Sequence, residues 1–241
     1  MRFHVFESPK EASAFASNII AEQIKQKEDT VLGLATGSTP IETYQNLAEK
    51  NKNNEISFKK VRTVNLDEYV GLSGDHDQSY RYFMNTNLFD HIDINKENTH
   101  VPLGDAEDLE KMCEEYEKLI QDLGGIDLQV LGIGNNGHIG FNEPDIKLYN
   151  ETHVTDLTES TIEANKRFFE SKDEVPRQAV TMGMASILRA KHIIVLAFGT
   201  SKADMVKRLK DAYLDPQCPV TFLKIHENVD IIFDKDAGSK L

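Results

Sequence analysis

The chain has 241 residues, 39% hydrophobic and 28% charged, with a formal net charge of −13, the profile of an ordinary water-soluble protein. The length suits one large α/β domain. No apolar run approaches the roughly 20 residues that span a bilayer, and MRFHVFESPK lacks the features of a signal peptide, so a cytoplasmic protein off the membrane is expected. No basic block marks a nucleic-acid partner. Cys113 and Cys218 stand far apart, outside any C-x-x-C pattern, and are expected as reduced thiols with no metal site between them.

MRFHVF reads as a short strand. SPKEASAFASNIIAEQIKQ follows as a helix with Ser8 as N-cap, Pro9 in the first turn, and Ala12, Phe15, Ala16 and Ile19 at helical spacing. TVLGLAT is a buried strand, and Pro40 opens the helix IETYQNLAEK. VRTVNLDEY is the next strand. SYRYFMNTNLF and DAEDLEKMCEEYEKLIQDL are helices, the second ending at Gly124–Gly125. IDLQVLGIG and HIIVLAFG are strands that are apolar almost throughout, SKADMVKRLKDAYL is a helix, and VDIIFD is the final strand. Apolar strands separated by helices point to a parallel sheet covered on both faces. In such open sheets, ligands bind beyond the carboxyl ends of the strands.

Four of those ends carry chemistry. In LATGSTP, the small residues Gly37, Ser38 and Thr39 lie between a strand and a helix. That turn reads equally as an anion cradle of backbone amides and hydroxyls or as a plain turn with Thr39 as N-cap. No Lys follows the glycine, so it is not a Walker A loop. In NLDEYVGL, Asp67 and Glu68 are adjacent, and strand geometry sends them to opposite faces. One can enter a cleft, where apolar surroundings would suit it to proton transfer. A carboxylate capping the next turn is the plainer alternative.

GIGNNGHIGFNEP fits the dinucleotide fingerprint G-x-G-x-x-G, but that motif should open a helix in the first βαβ unit. Here it lies past the middle of the chain, and Gly140 and Pro144 work against a helix. The glycines read better as a tight turn presenting His138 and Glu143 as an oriented acid–base pair. In AFGTSKA, Lys202 sits in a first helical turn, where the helix dipole disfavours a cation unless an anion lies between. Arg167 in ANKRFF is a second anion partner, though an Arg in a last turn is favourable anyway. Together these suggest proton-transfer chemistry on a phosphorylated small molecule, with neither metal nor cofactor.

At these residues the chain resembles the glucosamine-6-phosphate deaminases. LGLATGSTP, NLDEYVGL, GIGNNGHIGFNEP, NKRFF and TMGMASILRAK occur in that family's order and approximate spacing, over nearly the whole length. The resemblance implies a Rossmann-like α/β fold: an open, mostly parallel sheet with helices on both faces, in a single domain over 1–241. It implies conversion of D-glucosamine 6-phosphate and water to D-fructose 6-phosphate and ammonia, with no cofactor. Asp67 matches the base that moves a proton between C2 and C1. His138 matches the residue that opens the pyranose ring, and Glu143 the carboxylate that orients it. Gly37, Ser38, Thr39, Arg167 and Lys202 match the phosphate site.

Two positions depart from part of that family. Asn136 stands where many members have Asp, which leaves Glu143 as the charged partner of His138 and should shift the pH dependence of ring opening. His153 and Thr155 fall where longer members align basic residues for the activator N-acetylglucosamine 6-phosphate, so hyperbolic kinetics without that activator are expected. The polar stretch from about 149 to 175 is expected to act as a lid. Helix faces here serve equally as surface or interface, so a monomer and a homo-oligomer both stay open. The rival readings are a 6-phosphogluconolactonase, which typically carries DER where this chain has NLDEY, and a non-catalytic phosphosugar sensor, which could dispense with Asp67. A nicotinamide oxidoreductase is the weakest.

Overall fold

Ser8 starts the first helix as expected: its hydroxyl accepts a hydrogen bond from the Glu11 amide, and Pro9 takes the first helical position. The computed structural model describes residues 1–166, 169, 171 and 174–241. In chain order the elements are β1 (Arg2–Phe6), α1 (Pro9–Gln26), β2 (Val31–Leu34), α2 (Ile41–Lys52), β3 (Arg62–Asn65) and β4 (Asp67–Tyr69). Then come α3 (Tyr80–Asn87), β5 (Thr99–His100), α4 (Leu109–Asp122), β6 (Leu128–Gly132), β7 (His153–Asp156) and α5 (Glu159–Asn165). The chain closes with β8 (Gln178–Thr181), α6 (Met184–Leu188), β9 (Ile193–Ala197), α7 (Ala203–Arg208) and β10 (Val229–Asp234). No helix among the described residues is long and apolar enough to cross a membrane.

Seven strands form one sheet in the order β1-β10-β9-β6-β2-β3-β5, and every neighbouring pair in it is parallel. Alternation along the strands splits the core in two. Ile194 and Leu196 of β9 face the side covered by Ala16 and Ile20 of α1 and Tyr44 and Leu47 of α2. Ile193, Val195 and Ala197 face Met112 and Tyr116 of α4 and Val206 of α7. Both faces of the strands are therefore apolar, which is why these segments carry almost no polar residues.

A second, antiparallel sheet, β4-β8-β7, was not anticipated. The expected single strand VRTVNLDEY is broken at Leu66. The Leu66 amide donates to Leu34 O at 3.1 Å, on the main sheet, and its carbonyl accepts from the Met182 amide at 2.8 Å, just past β8. One residue thus belongs to both sheets, and Asp67 begins the second. The helix expected over SKADMVKRLKDAYL is also shorter. It ends at Arg208, which is drawn into an ion pair with Asp215, while the Lys210 and Asp211 amides bond carbonyls three residues back and tighten the chain. Of the stretch expected as a lid, 153–156 is strand β7 and 159–165 is α5; residues 167, 168, 170, 172 and 173 lie outside the described residues.

At the amino-terminal end of the main sheet, the buried Asp127 carboxylate accepts from Lys27 Nζ at 2.6 Å, Lys191 Nζ at 2.7 Å and the Val31 amide at 2.8 Å. Burial pushes the carboxyl up, but these donors outweigh it and hold it at about 2, below its ordinary 3.8. The contribution is therefore full above the unfolded value and is lost as pH falls through the folded one. Replacing Asp127 by Asn should cost about 2 kcal/mol at pH 7, or a Tm lower by roughly 4–8 °C. Thermal unfolding across pH 2–7 checks this, and the deficit should shrink as pH falls below 4.

Candidate active site

The strand order reverses between β2 and β6, and the loops that follow these two strands open beside one another. That crevice is the expected ligand position in an open α/β sheet. A cavity of about 520 Å³ lies there. Gly37, Ser38 and Thr39 line it from the loop after β2, and Gly134, Asn135, Asn136 and His138 from the loop after β6. Asp67 enters from the junction of the two sheets, Lys202 from the loop after β9, and Thr161 from α5.

The loop after β6 is a closed turn. The Gly134 amide donates to His138 O at 2.9 Å, and the Gly137 amide donates to Gly134 O at 3.0 Å. No helix follows, contrary to what a dinucleotide fingerprint requires. The glycines serve close approach instead. A Cβ on Gly134 would lie 2.3 Å from the His138 ring, and Gly137, at φ +89°, would place one 2.5 Å from Cys218 Sγ. His138 Nδ1 stands 3.3 Å from Glu143 Oε1, an ion-pair separation whose geometry falls short of a hydrogen bond.

Asn136 Nδ2 donates to Glu143 Oε2 at 2.7 Å, and Asn136 Oδ1 accepts from the His138 amide at 3.2 Å. The Asn136 side chain thus bonds the carboxylate and the backbone. Thr161 Oγ1 donates to Glu143 Oε1 at 2.7 Å. Burial pushes the Glu143 carboxyl up, but His138, Thr161 and Asn136 together outweigh it and hold it at about 2.

Asp67 and Glu68 divide as strand geometry requires. Glu68 is buried and accepts from the amides of Tyr69, Tyr80 and Arg81 at 2.8, 2.8 and 2.9 Å, capping α3. Asp67, 6% exposed, lines the cavity instead. Burial, and then the charge of Glu68, raise its carboxyl from 3.8 to about 8. A carboxyl poised there suits proton transfer near neutral pH.

Thr39 does not cap α2. Its N-cap position is Pro40, which makes no side-chain cap bond. The loop is tied down by Tyr44, whose hydroxyl donates to Ala35 O at 2.6 Å and accepts from the Ala35 amide at 3.2 Å. Gly37, with φ +91°, turns the chain toward the cavity. Lys202 Nζ donates to Asn135 Oδ1 at 2.7 Å, and burial lowers its pKa, the response of a cation held away from water. Arg167 lies outside the described residues. His153 and Thr155, on β7, do not line the cavity, and His153 stacks on Tyr149 with ring centroids 4.2 Å apart.

Sequence reasoning missed Asn135, Thr161 and Tyr80. Asn135 lies inside a motif read for its glycines and His138, and Thr161 inside a helix read only for its Arg. Tyr80, stacked on Phe141 with centroids 6.1 Å apart, closes the cavity wall beside Asp67.

Because the His138 ring occupies the space of a Gly134 side chain, Gly134→Ala should move the ring. A displacement of about 1 Å at a reacting group costs on the order of 100-fold in kcat. Steady-state kinetics with a matched Tm would check this expectation.

Comparison with known proteins places the chain. The family described as glucosamine-6-phosphate isomerases/6-phosphogluconolactonase matches residues 7–232. The chain is 54% identical over 241 residues to a glucosamine-6-phosphate deaminase of Clostridium perfringens, covering 100% of both chains. It is 56% identical over 230 residues to one of Thermoanaerobacter sp., covering 95% of this chain and 91% of that one. Among solved structures, a monomeric glucosamine-6-phosphate deaminase superposes with TM-score 0.97 at 44% identity, covering 100% of each chain. A 6-phosphogluconolactonase from Trypanosoma brucei superposes with TM-score 0.80 at 23% identity, covering 100% of this chain and 98% of that one, a likeness of fold alone. The chain belongs to the glucosamine-6-phosphate isomerase/6-phosphogluconolactonase family.

Proposed function

We propose that this protein is a glucosamine-6-phosphate deaminase, converting D-glucosamine 6-phosphate and water to D-fructose 6-phosphate and ammonia. The observation that carries this reading is the Asp67 carboxyl, raised to about 8, in the same cavity as His138. Relatives that match over at least nine-tenths of both chains at more than half identity bear that name. The lactonase likeness stops at the fold, and a sensor would need neither proton-transfer group.

The reading assigns a role to each group. The phosphate is held by the amides and hydroxyls of Gly37, Ser38 and Thr39 with Lys202, and the family resemblance assigns Arg167 to the same task. A buried phosphate dianion needs such charge-assisted donors to offset its desolvation. His138 moves the proton that opens the pyranose ring, with Glu143 orienting its Nδ1 edge. Asp67 then removes the C2 proton of the open-chain sugar and delivers it to C1. The resulting C2 imine takes up water and releases ammonia. The α5 segment covers the cleft, and the domain spans 1–241. A soluble phosphosugar substrate fits a cytoplasmic reaction.

Ammonia release from glucosamine 6-phosphate tests the reaction. With Asp67 as the base, kcat/KM should rise through about pH 8 on its acid limb, because the group must lose its proton to act. Asp67→Asn should lose at least about 1000-fold in kcat while still binding substrate, losing both base and oriented acid at once. A second test concerns Asn136. Asn136→Asp sets a carboxylate 2.7 Å from Glu143, where two carboxylates hold a proton between them. The kcat/KM profile should fall and move to higher pH; superimposable profiles would count against the role given to this loop.

A further inference from the structure

We propose that Thr161 is a positioning residue for the proposed ring-opening step, fixing through its hydroxyl the Glu143 oxygen that faces His138. The proposal rests on the deaminase reading and deepens it. Glu143 presents two oxygens, and each has its own donor. Oε2 accepts from Asn136 Nδ2 at 2.7 Å, on the same loop. Oε1 accepts from Thr161 Oγ1 at 2.7 Å, on a separate element, α5. Oε1 is also the oxygen 3.3 Å from His138 Nδ1.

The hydroxyl is itself oriented from behind. Thr158, the N-cap of α5, donates from its Oγ1 to Thr161 Oγ1 at 3.0 Å, and the Thr161 amide donates to Thr158 Oγ1 at 3.3 Å. With its lone pair engaged by Thr158, the Thr161 hydroxyl has its proton free for Glu143. The first turn of α5 therefore ends in one directed donor bond to the carboxylate. Thr161 is 8% exposed and lines the cavity, so the bond sits where water competes weakly.

Other groups do not supply this function. The charges on α5 are engaged elsewhere: Glu159 lies 3.6 Å from Arg177, and Glu163 pairs with Lys166. Elsewhere in the cavity lining, Lys202 donates to Asn135, and the Asp67 carboxyl has no bond to Glu143. On its own loop, Glu143 meets only His138 and Asn136 among the described residues. Deleting the Thr161 hydroxyl leaves Oε1 with the His138 edge alone, and that edge falls short of hydrogen-bond geometry. The carboxylate then keeps its Asn136 bond at Oε2 but loses the donor that directs Oε1.

The test uses Thr161→Val, which keeps the shape and removes the donor, and Thr161→Ser, which restores it. Tm would verify the fold of each. Ammonia release from glucosamine 6-phosphate should show kcat lower by on the order of 10- to 100-fold in Thr161→Val with KM little changed. Thr161→Ser should recover most of the loss. Carbon-13 NMR of the Glu143 carboxyl gives a readout independent of turnover: its midpoint should rise in Thr161→Val and return in Thr161→Ser. An unchanged Glu143 titration in Thr161→Val would overturn the proposal, as would a Thr161→Ser variant as impaired as Thr161→Val at equal Tm. If the wild-type protein released no ammonia, the deaminase reading would fail on its own, and the titration would still decide the role of Thr161.

Discussion

The burial of one carboxyl group governs this molecule. Asp67 stands where the chain leaves the parallel sheet and enters a second one, and its surroundings favour the neutral form up to about pH 8. The unfolded chain would release that proton near 3.8, so between those values the folded state holds the extra proton. Stability contributed by this group falls as pH rises through that window. The fold therefore carries an ionisation it opposes, at a point that also lines the cavity beyond β2 and β6. Strain of this kind concentrates at functional sites and persists only where the surrounding structure over-determines it.

What over-determines it here is Leu66. Its amide is held by Leu34 and its carbonyl by Met182, so the residue cannot shift without breaking one of two sheets. The adjacent Glu68 is fixed by two amides at the start of α3 and by the Tyr69 amide of its own strand, which fixes the opposite face of β4. Asp67 is left with one direction to face. The glycine turn after β6 works by the same logic of exclusion. Gly134 leaves room for the His138 ring, Gly137 leaves room for Cys218, and the Gly137 carbonyl accepts from the Val220 amide at 2.8 Å. The Asp67 carboxyl and the His138 imidazole thus come from separate elements, each braced from behind, and both line the cavity that opens where the strand order reverses between β2 and β6.

Much of this was legible in the sequence because the buried strands are apolar on both faces. IDLQVL and HIIVLA could be little else, and the small or charged residues at their ends marked the ligand edge. The second sheet was hidden for physical reasons. Its strands are short, HVTD carries no apolar alternation, and β4 follows β3 after a single residue without a Gly or Pro at the break. The break is made by pairing with β8, 110 or more residues later in the chain, which no local pattern reports. Thr39 illustrates the opposite case. A residue well suited to cap a helix stands one position too early, because Pro40 takes the cap position. Thr161 was unreadable as part of the site, since its significance lies in a contact with Glu143, 18 residues away beyond strand β7.

The most direct measurement is the titration of the Asp67 carboxyl itself. Carbon-13 NMR of protein labelled at aspartate carboxyl carbons, with the resonance assigned by its absence in Asp67→Asn, reports the midpoint without reference to turnover. A midpoint near 8 in the unliganded protein is expected from its burial beside Glu68. A midpoint near the ordinary 3.8 would mean that the carboxyl is open to water, and the account of a carboxyl kept neutral by burial at the junction of two sheets would be wrong.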